Sequence, residues 1–130
     1  MKTLLLYFAE NKKSIKLCEE SRIDGEVDVI RISEKYFRNS ILKKSIGSVQ
    51  AKNGSGVKIV CDNFELADYN TVIIATELWN NNPPPAINEL LHSSSLKGKE
   101  IIGLLLNENK AKTHSADIFK KRVALAGGFC

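Results

Sequence analysis

A chain of 130 residues, 43% apolar and 26% charged, has the length and apolar content for one packed domain, which excludes a disordered or low-complexity segment. Its apolar runs fall far short of the ~20 residues that span a bilayer, and the run after Lys2 is too short for a secretory signal. The formal net charge of +4 raises the question of nucleic acid, but the basic groups come without interleaved aromatics or a reader motif and fall on predicted helices.

The first predicted element is the apolar run Thr3-Leu4-Leu5-Leu6-Tyr7-Phe8, which reads as a strand buried on both faces. A polar loop, Ala9 to Lys13, leads to an amphipathic helix through Ile15, Leu17 and Cys18, with Asn11 or Ser14 as its N-cap. Strand, loop and helix N-terminus in that order form an anion site, because the first N–H groups of a helix are unpaired. Lys12 and Lys13 in the first helical turn oppose the macrodipole unless an anion offsets them; solvated lysines on a turn are the equal alternative.

After a turn at Asp24-Gly25, residues Glu26 to Ile32 read as a second strand, and Glu34 to Lys44 as a crossover helix carrying Tyr36, Phe37, Ile41 and Leu42. Residues 45–56, rich in Ser, Gly and Asn, read as loop, and Val57 to Cys61 as a short strand or extended chain. Thr71 to Ala75 is a clear strand. Beyond it, Pro83-Pro84-Pro85 cannot continue a strand but starts a helix over Ala86 to Leu91. Gly98 turns the chain into the strand Ile101 to Leu106, and a polar loop, Asn107 to Lys112, leads to a helix over Ser115 to Leu125 with Ser115 as N-cap, ended by Gly127-Gly128.

Strands alternating with helices imply an α/β domain over residues 1–130, a doubly wound parallel sheet with right-handed crossovers. Such sheets bind ligands beyond the carboxyl ends of their strands. The polar loops after the first, third and fourth strands (9–14, 76–82 and 107–112) are therefore the candidate site. Lys12-Lys13, Lys43-Lys44 and Lys120-Lys121-Arg122 read as solvated helix faces, so neither nucleic acid nor membrane is an expected partner. Cys18, Cys61 and Cys130 are scattered, as suits reduced thiols in a cytoplasm, and neither His92 nor His114 shares a metal-ligand spacing with them. No Ser/His/Asp or Cys/His arrangement points to a protein-only catalytic centre, so no catalytic residue is assigned.

The segments Tyr7-Phe8-Ala9-Glu10-Asn11-Lys12-Lys13-Ser14, Thr76-Glu77-Leu78-Trp79 with Pro83-Pro84-Pro85-Ala86, and Leu96-Lys97-Gly98-Lys99 resemble a short-chain flavodoxin. They match in order the family's phosphate loop, its tryptophan-containing second loop and its lead into the next strand. The resemblance implies a flavodoxin-like fold with strand order 2-1-3-4-5, bound FMN, electron transfer and a redox partner protein. It assigns cofactor contacts to Ala9, Glu10, Asn11, Lys12, Lys13 and Ser14 around the phosphate, and to Thr76, Glu77, Leu78, Trp79, Asn80, Asn107 and Glu108 around the ring. Within the phosphate loop, Ala9, Asn11, Lys12 and Lys13 replace the family's hydroxyl, threonine, glycine and asparagine, while Ser14 keeps its hydroxyl. Loop 107–112 carries no glycine where the family has small residues.

Trp79 has two readings of equal weight, stacking on a flavin ring or covering the helix that begins in the proline run. Glu77 and Glu108 read as solvated. The function expected is FMN binding with electron transfer; the alternative is a flavodoxin-like domain without flavin, serving as a binding or assembly module. Gly127-Gly128-Phe129-Cys130 stands where a fifth strand should begin. The expected order is therefore 2-1-3-4 with the fifth strand missing or incomplete, which leaves Ile101–Leu106 as an open edge suited to pairing in a homodimer.

Overall fold

The computed structural model describes residues 2–10, 12–20, 27–35, 42–79, 82–93, 96–106 and 114–129. The elements are β1 (Lys2–Phe8), α1 (Lys12–Glu20), β2 (Val27–Arg31), β3 (Ser33–Glu34), α2 (Ser48–Asn53), β4 (Ile59–Val60), β5 (Tyr69–Thr76), α3 (Pro85–Ser93), β6 (Glu100–Leu105) and α4 (His114–Leu125). A four-stranded sheet in the order β2-β1-β5-β6 has every pair parallel. Renumbered within that sheet, the order is 2-1-3-4, as expected.

Central strands of a parallel sheet are apolar on both faces because helices cover both. Leu4, Leu6, Phe8, Val72, Ile74 and Ile101 join a large core with Ile87, Leu90 and Leu91 of α3 and Phe119 and Val123 of α4. Leu5, Tyr7 and Ala75 point the other way, toward Cys18 and Ile15 of α1. Successive residues of one strand thus serve two cores. Tyr69 ties the sheet across its central strand, its hydroxyl donating to Asp28 Oδ2 at 2.7 Å. That bond, with burial and the charge of Asp28, pushes the tyrosine pKa up to about 12.

The stretch between β2 and β5 departs from the sequence expectation. Ser33–Glu34 is extended and pairs antiparallel with Ile59–Val60, so a helix does not begin at Glu34; residues 36–41 lie outside the described part. The chain is helical from Leu42 to Asn53, as expected up to Lys44 but not from residue 45 on, where a loop is expected, and it has a π-helical turn at Lys43–Gly47. Gly54, at φ 74°, stops that helix: its N–H reaches Ala51 O and the N–H of Ser55 reaches Gln50 O at 2.9 Å. This paired closure needs a left-handed residue, which glycine supplies without strain.

Smaller corrections fall at helix starts. The first helix starts at Lys12, which leaves Ser14 inside it rather than at its cap. Likewise α4 starts at His114, and Ser115 is a buried first-turn residue. Pro85 opens α3 as expected, and the N–H groups of Ile87 and Asn88 both reach Pro84 O. Arg122 is not on a solvated face. Half-buried, it donates to Asn88 Oδ1 at 2.8 Å and to the carbonyls of Ala51 and Lys52 at 3.0 and 3.2 Å, joining α2, α3 and α4. Burial lowers its pKa.

At the far edge a single bridge lies beside β6 among the described residues. Phe129 pairs parallel with the start of β6: Ile101 N donates to Phe129 O at 2.7 Å and Phe129 N to Lys99 O at 3.2 Å. Among the described residues nothing pairs with the same edge farther along, at Gly103 and Leu105. Ile102 and Leu104, on the α1 side of this strand, are 42% and 47% exposed. Among the described residues, no helix is long and apolar enough to cross a membrane and no cluster of metal-ligating side chains occurs.

Candidate functional site at the strand ends

Parallel pairing aligns the carboxyl ends of β1 and β5, with Phe8 beside Thr76. The loops that follow therefore start as neighbours. Backbone bonds fasten them: Glu77 N donates to Phe8 O at 3.1 Å, and Leu106 N to Thr76 O at 2.9 Å. Tyr7 and Ala9 are buried in the smaller core, so the chain leaves the sheet only at Glu10, which is exposed.

The loop after β5 is closed on itself. Trp79 and Asn82 exchange backbone hydrogen bonds of 2.9 and 3.1 Å. Trp79 is half-buried and meets Phe8 edge to face, with ring centroids 5.8 Å apart and planes at 63°. This geometry suits the ring quadrupoles and holds the indole over the end of β1. Trp79 thus packs against the large core while the residue stays partly exposed.

The expected site residues fall into three groups. Glu10, Lys12, Lys13, Glu77 and Trp79 gather at the ends of β1 and β5, the two lysines exposed in a first helical turn that contains no acidic residue. Ala9, Thr76 and Leu78 are there by sequence but serve the interior. Ala9 and Leu78 are buried, and the Thr76 hydroxyl donates to Glu77 O at 2.7 Å. Asn11, Asn80, Asn107 and Glu108 lie outside the described residues, and Ser14 is placed only as a member of α1.

Glu77 overturns the expectation of a solvated carboxylate. It is 9% exposed, and Oε1 accepts the backbone N–H of Glu10 at 2.9 Å. A carboxylate thus occupies a donor of the very loop that resembles a phosphate loop. Arg31 is a neighbour that sequence reasoning passed over. It ends β2 opposite Tyr7, and its guanidinium donates to Ala9 O at 3.1 Å. The available signal was its place as the last residue of a strand beside β1. The first loop accordingly has Lys12, Lys13 and Arg31 on one side of the charge balance and Glu10 and Glu77 on the other.

A cavity of about 380 Å³ lies elsewhere, between α3 and α4, lined by Leu91, His92, Arg122 and Leu125 among others. Its lining belongs to the outer helical layer, away from the strand ends to which the topology points.

No protein-family model matches the sequence, and no curated protein matches it. Solved structures do match. A flavoprotein from Lactobacillus acidophilus NCFM, crystallised in complex with FMN, aligns with a TM-score of 0.75 at 21% identity, over 98% of this chain and 88% of that one. A candidate flavoprotein from Bacteroides eggerthii DSM 20697 aligns with a TM-score of 0.79 at 21% identity, over 98% and 84%. The chain has a flavodoxin-like fold. The apo form of the Lactobacillus flavoprotein, solved by NMR, gives a TM-score of 0.73 at 20% identity over 99% and 89%. Identities this low establish the flavodoxin-like architecture and leave the chemistry to the site itself.

Proposed function

We propose that this flavodoxin-like protein binds FMN and acts in electron transfer, with the phosphate at the start of α1 and the ring beside Trp79. The observation that carries the reading is the joining of the β1 and β5 loops at the strand ends. A helix start bearing two exposed lysines follows β1, and Trp79, packed edge to face on Phe8, follows β5 at the same end of the sheet. Lys12 and Lys13 fit a phosphate, because an anion would offset both their mutual repulsion and their conflict with the helix dipole. The indole fits a planar heteroaromatic ring. FMN bound to the Lactobacillus neighbour of the same architecture supports the assignment.

When bound, the flavin supplies the redox chemistry, and the protein's part is to hold and shield it. Lys12 and Lys13 would neutralise the phosphate, and Trp79, braced by Phe8 and by its backbone bonds to Asn82, would limit solvent on one side of the ring. An electron carrier meets a partner protein at these strand ends, in the cytoplasm, where the thiols of Cys18 and Cys61 stay reduced.

A second reading, a flavin-free binding or assembly module, draws its support from Glu77, whose carboxylate already satisfies the Glu10 amide. The deciding experiment is purification followed by FMN addition to the apoprotein. The flavoprotein reading expects a yellow preparation or saturable quenching of flavin fluorescence. Neither, at tens of micromolar protein, leaves the module reading.

A further inference from the structure

We propose that Glu77 is a built-in substitute for the ligand's anion. Its carboxylate holds the first loop in shape when no phosphate is bound, and its charge weakens the binding of phosphate there. The inference deepens the FMN reading and rests on it for the identity of the natural ligand, but not for the loop's response to phosphate itself.

The argument starts from the backbone. After β1 the chain must pass from a strand into a helix within Ala9, Glu10 and Asn11, and N–H groups in such a turn have no ladder or helical partner. A capping side chain, water or a bound anion satisfies them. Here the Glu10 N–H is satisfied by Glu77 Oε1 at 2.9 Å, a residue 67 positions away. The partner is itself fixed. Its own N–H donates to Phe8 O, its carbonyl accepts the Thr76 hydroxyl at 2.7 Å, and its side chain is almost wholly buried. A carboxylate placed this rigidly keeps the loop formed without a cofactor.

The same placement has an electrostatic consequence. A buried negative charge in contact with the loop repels a second anion brought to the adjoining helix start, and low exposure limits the screening. Lys12, Lys13 and Arg31, the cations of this loop, are exposed, so water and salt weaken their compensating attraction. Glu77 is thus a positioning residue whose charge penalises a phosphorylated ligand relative to its uncharged counterpart.

The test is Glu77→Gln, which keeps a side-chain oxygen for the Glu10 amide and removes the charge, with Glu77→Ala removing both. Three probes are titrated into each protein: FMN, riboflavin, and inorganic phosphate followed by the Glu10, Lys12 and Lys13 amide signals. The expected result is FMN and phosphate binding tightened about tenfold in Glu77→Gln, the equivalent of one pKa unit of interaction, with riboflavin affinity unchanged within about twofold. Glu10 amide exchange should stay slow in Glu77→Gln and quicken in Glu77→Ala. Equal changes for FMN and riboflavin, or no change for phosphate, would overturn the proposal even where FMN binds well. Phosphate binding that tightens in Glu77→Gln while no flavin binds would uphold it and remove the flavoprotein reading instead.

Discussion

Arg122→Met removes a guanidinium but keeps most of the apolar stem, so it isolates the hydrogen bonds that join three helices. Arg122 gives one bond to Asn88 Oδ1 on α3 and two to the last-turn carbonyls of α2, Ala51 and Lys52. Those carbonyls carry the negative end of the helix dipole, which a cation stabilises by about 0.3–1 kcal/mol. A charged hydrogen bond contributes about 1.5–3 kcal/mol net, but bonds sharing one side chain do not add, and water can reach part of this site. The expected loss is therefore about 2–3 kcal/mol, a large share of the 5–15 kcal/mol typical of a domain. Arg122→Lys should recover less than half, because an ammonium cannot reproduce the planar fork. Urea denaturation followed by circular dichroism reads the change as a shift in midpoint at constant slope. A loss below about 0.5 kcal/mol would refute the reasoning by placing the pair contacts in the range of ordinary surface interactions.

Further outcomes follow from the same geometry. A Cβ on Gly103 would lie 2.6 Å from Cε1 of the buried Phe119, so Gly103→Ala should cost about 1–3 kcal/mol by overpacking and be partly rescued by Phe119→Leu; thermal unfolding of the single and double variants checks this. With its pKa raised above the ordinary 10.0 to about 12, Tyr69 contributes stability that is whole below pH 10 and lost as pH rises through 12. Unfolding midpoints of wild type and Tyr69→Phe should therefore converge across that window. The edge of β6 beyond Phe129, with exposed Ile102 and Leu104 beside it, is expected to pair two copies of the chain. Sedimentation over a concentration range should show a dimer that Leu104→Lys disrupts, and a monomer at every concentration would refute it.

What the sequence made legible follows from where each segment's apolar residues point. β1 and β5 are buried enough to read as apolar runs, β6 reads as one although Ile102 and Leu104 are exposed, and the proline run marks the start of α3 by its missing N–H groups. The helix at 42–53 hid itself because its apolar residues face outward: Ile46 and Val49 are 53% and 59% exposed, whereas Gly47 and Ala51 are buried. Its small inward residues, with Ser and Asn around them, resemble loop composition. The two-residue strand β3 carries too little pattern to detect, whereas β4 falls inside Val57 to Cys61, read as a short strand or extended chain. At the site, the loops were legible from topology, but the role of Glu77 was not, since its partner is a backbone N–H far away in sequence. Arg122 was hidden for the same reason: its acceptors lie on two other helices.

The central claim is that a flavin binds between the start of α1 and the loop of Trp79. Trp79 is the chain's one tryptophan, so its fluorescence reports on that place alone. Titrating the apoprotein with FMN should quench it saturably at micromolar to tens of micromolar ligand, and Lys12→Ala/Lys13→Ala should weaken the binding without lowering apoprotein stability, because the conflict with the helix dipole is relieved. Unchanged tryptophan emission across that range, or a Lys12→Ala/Lys13→Ala protein that binds FMN as well as the wild type, would contradict the account.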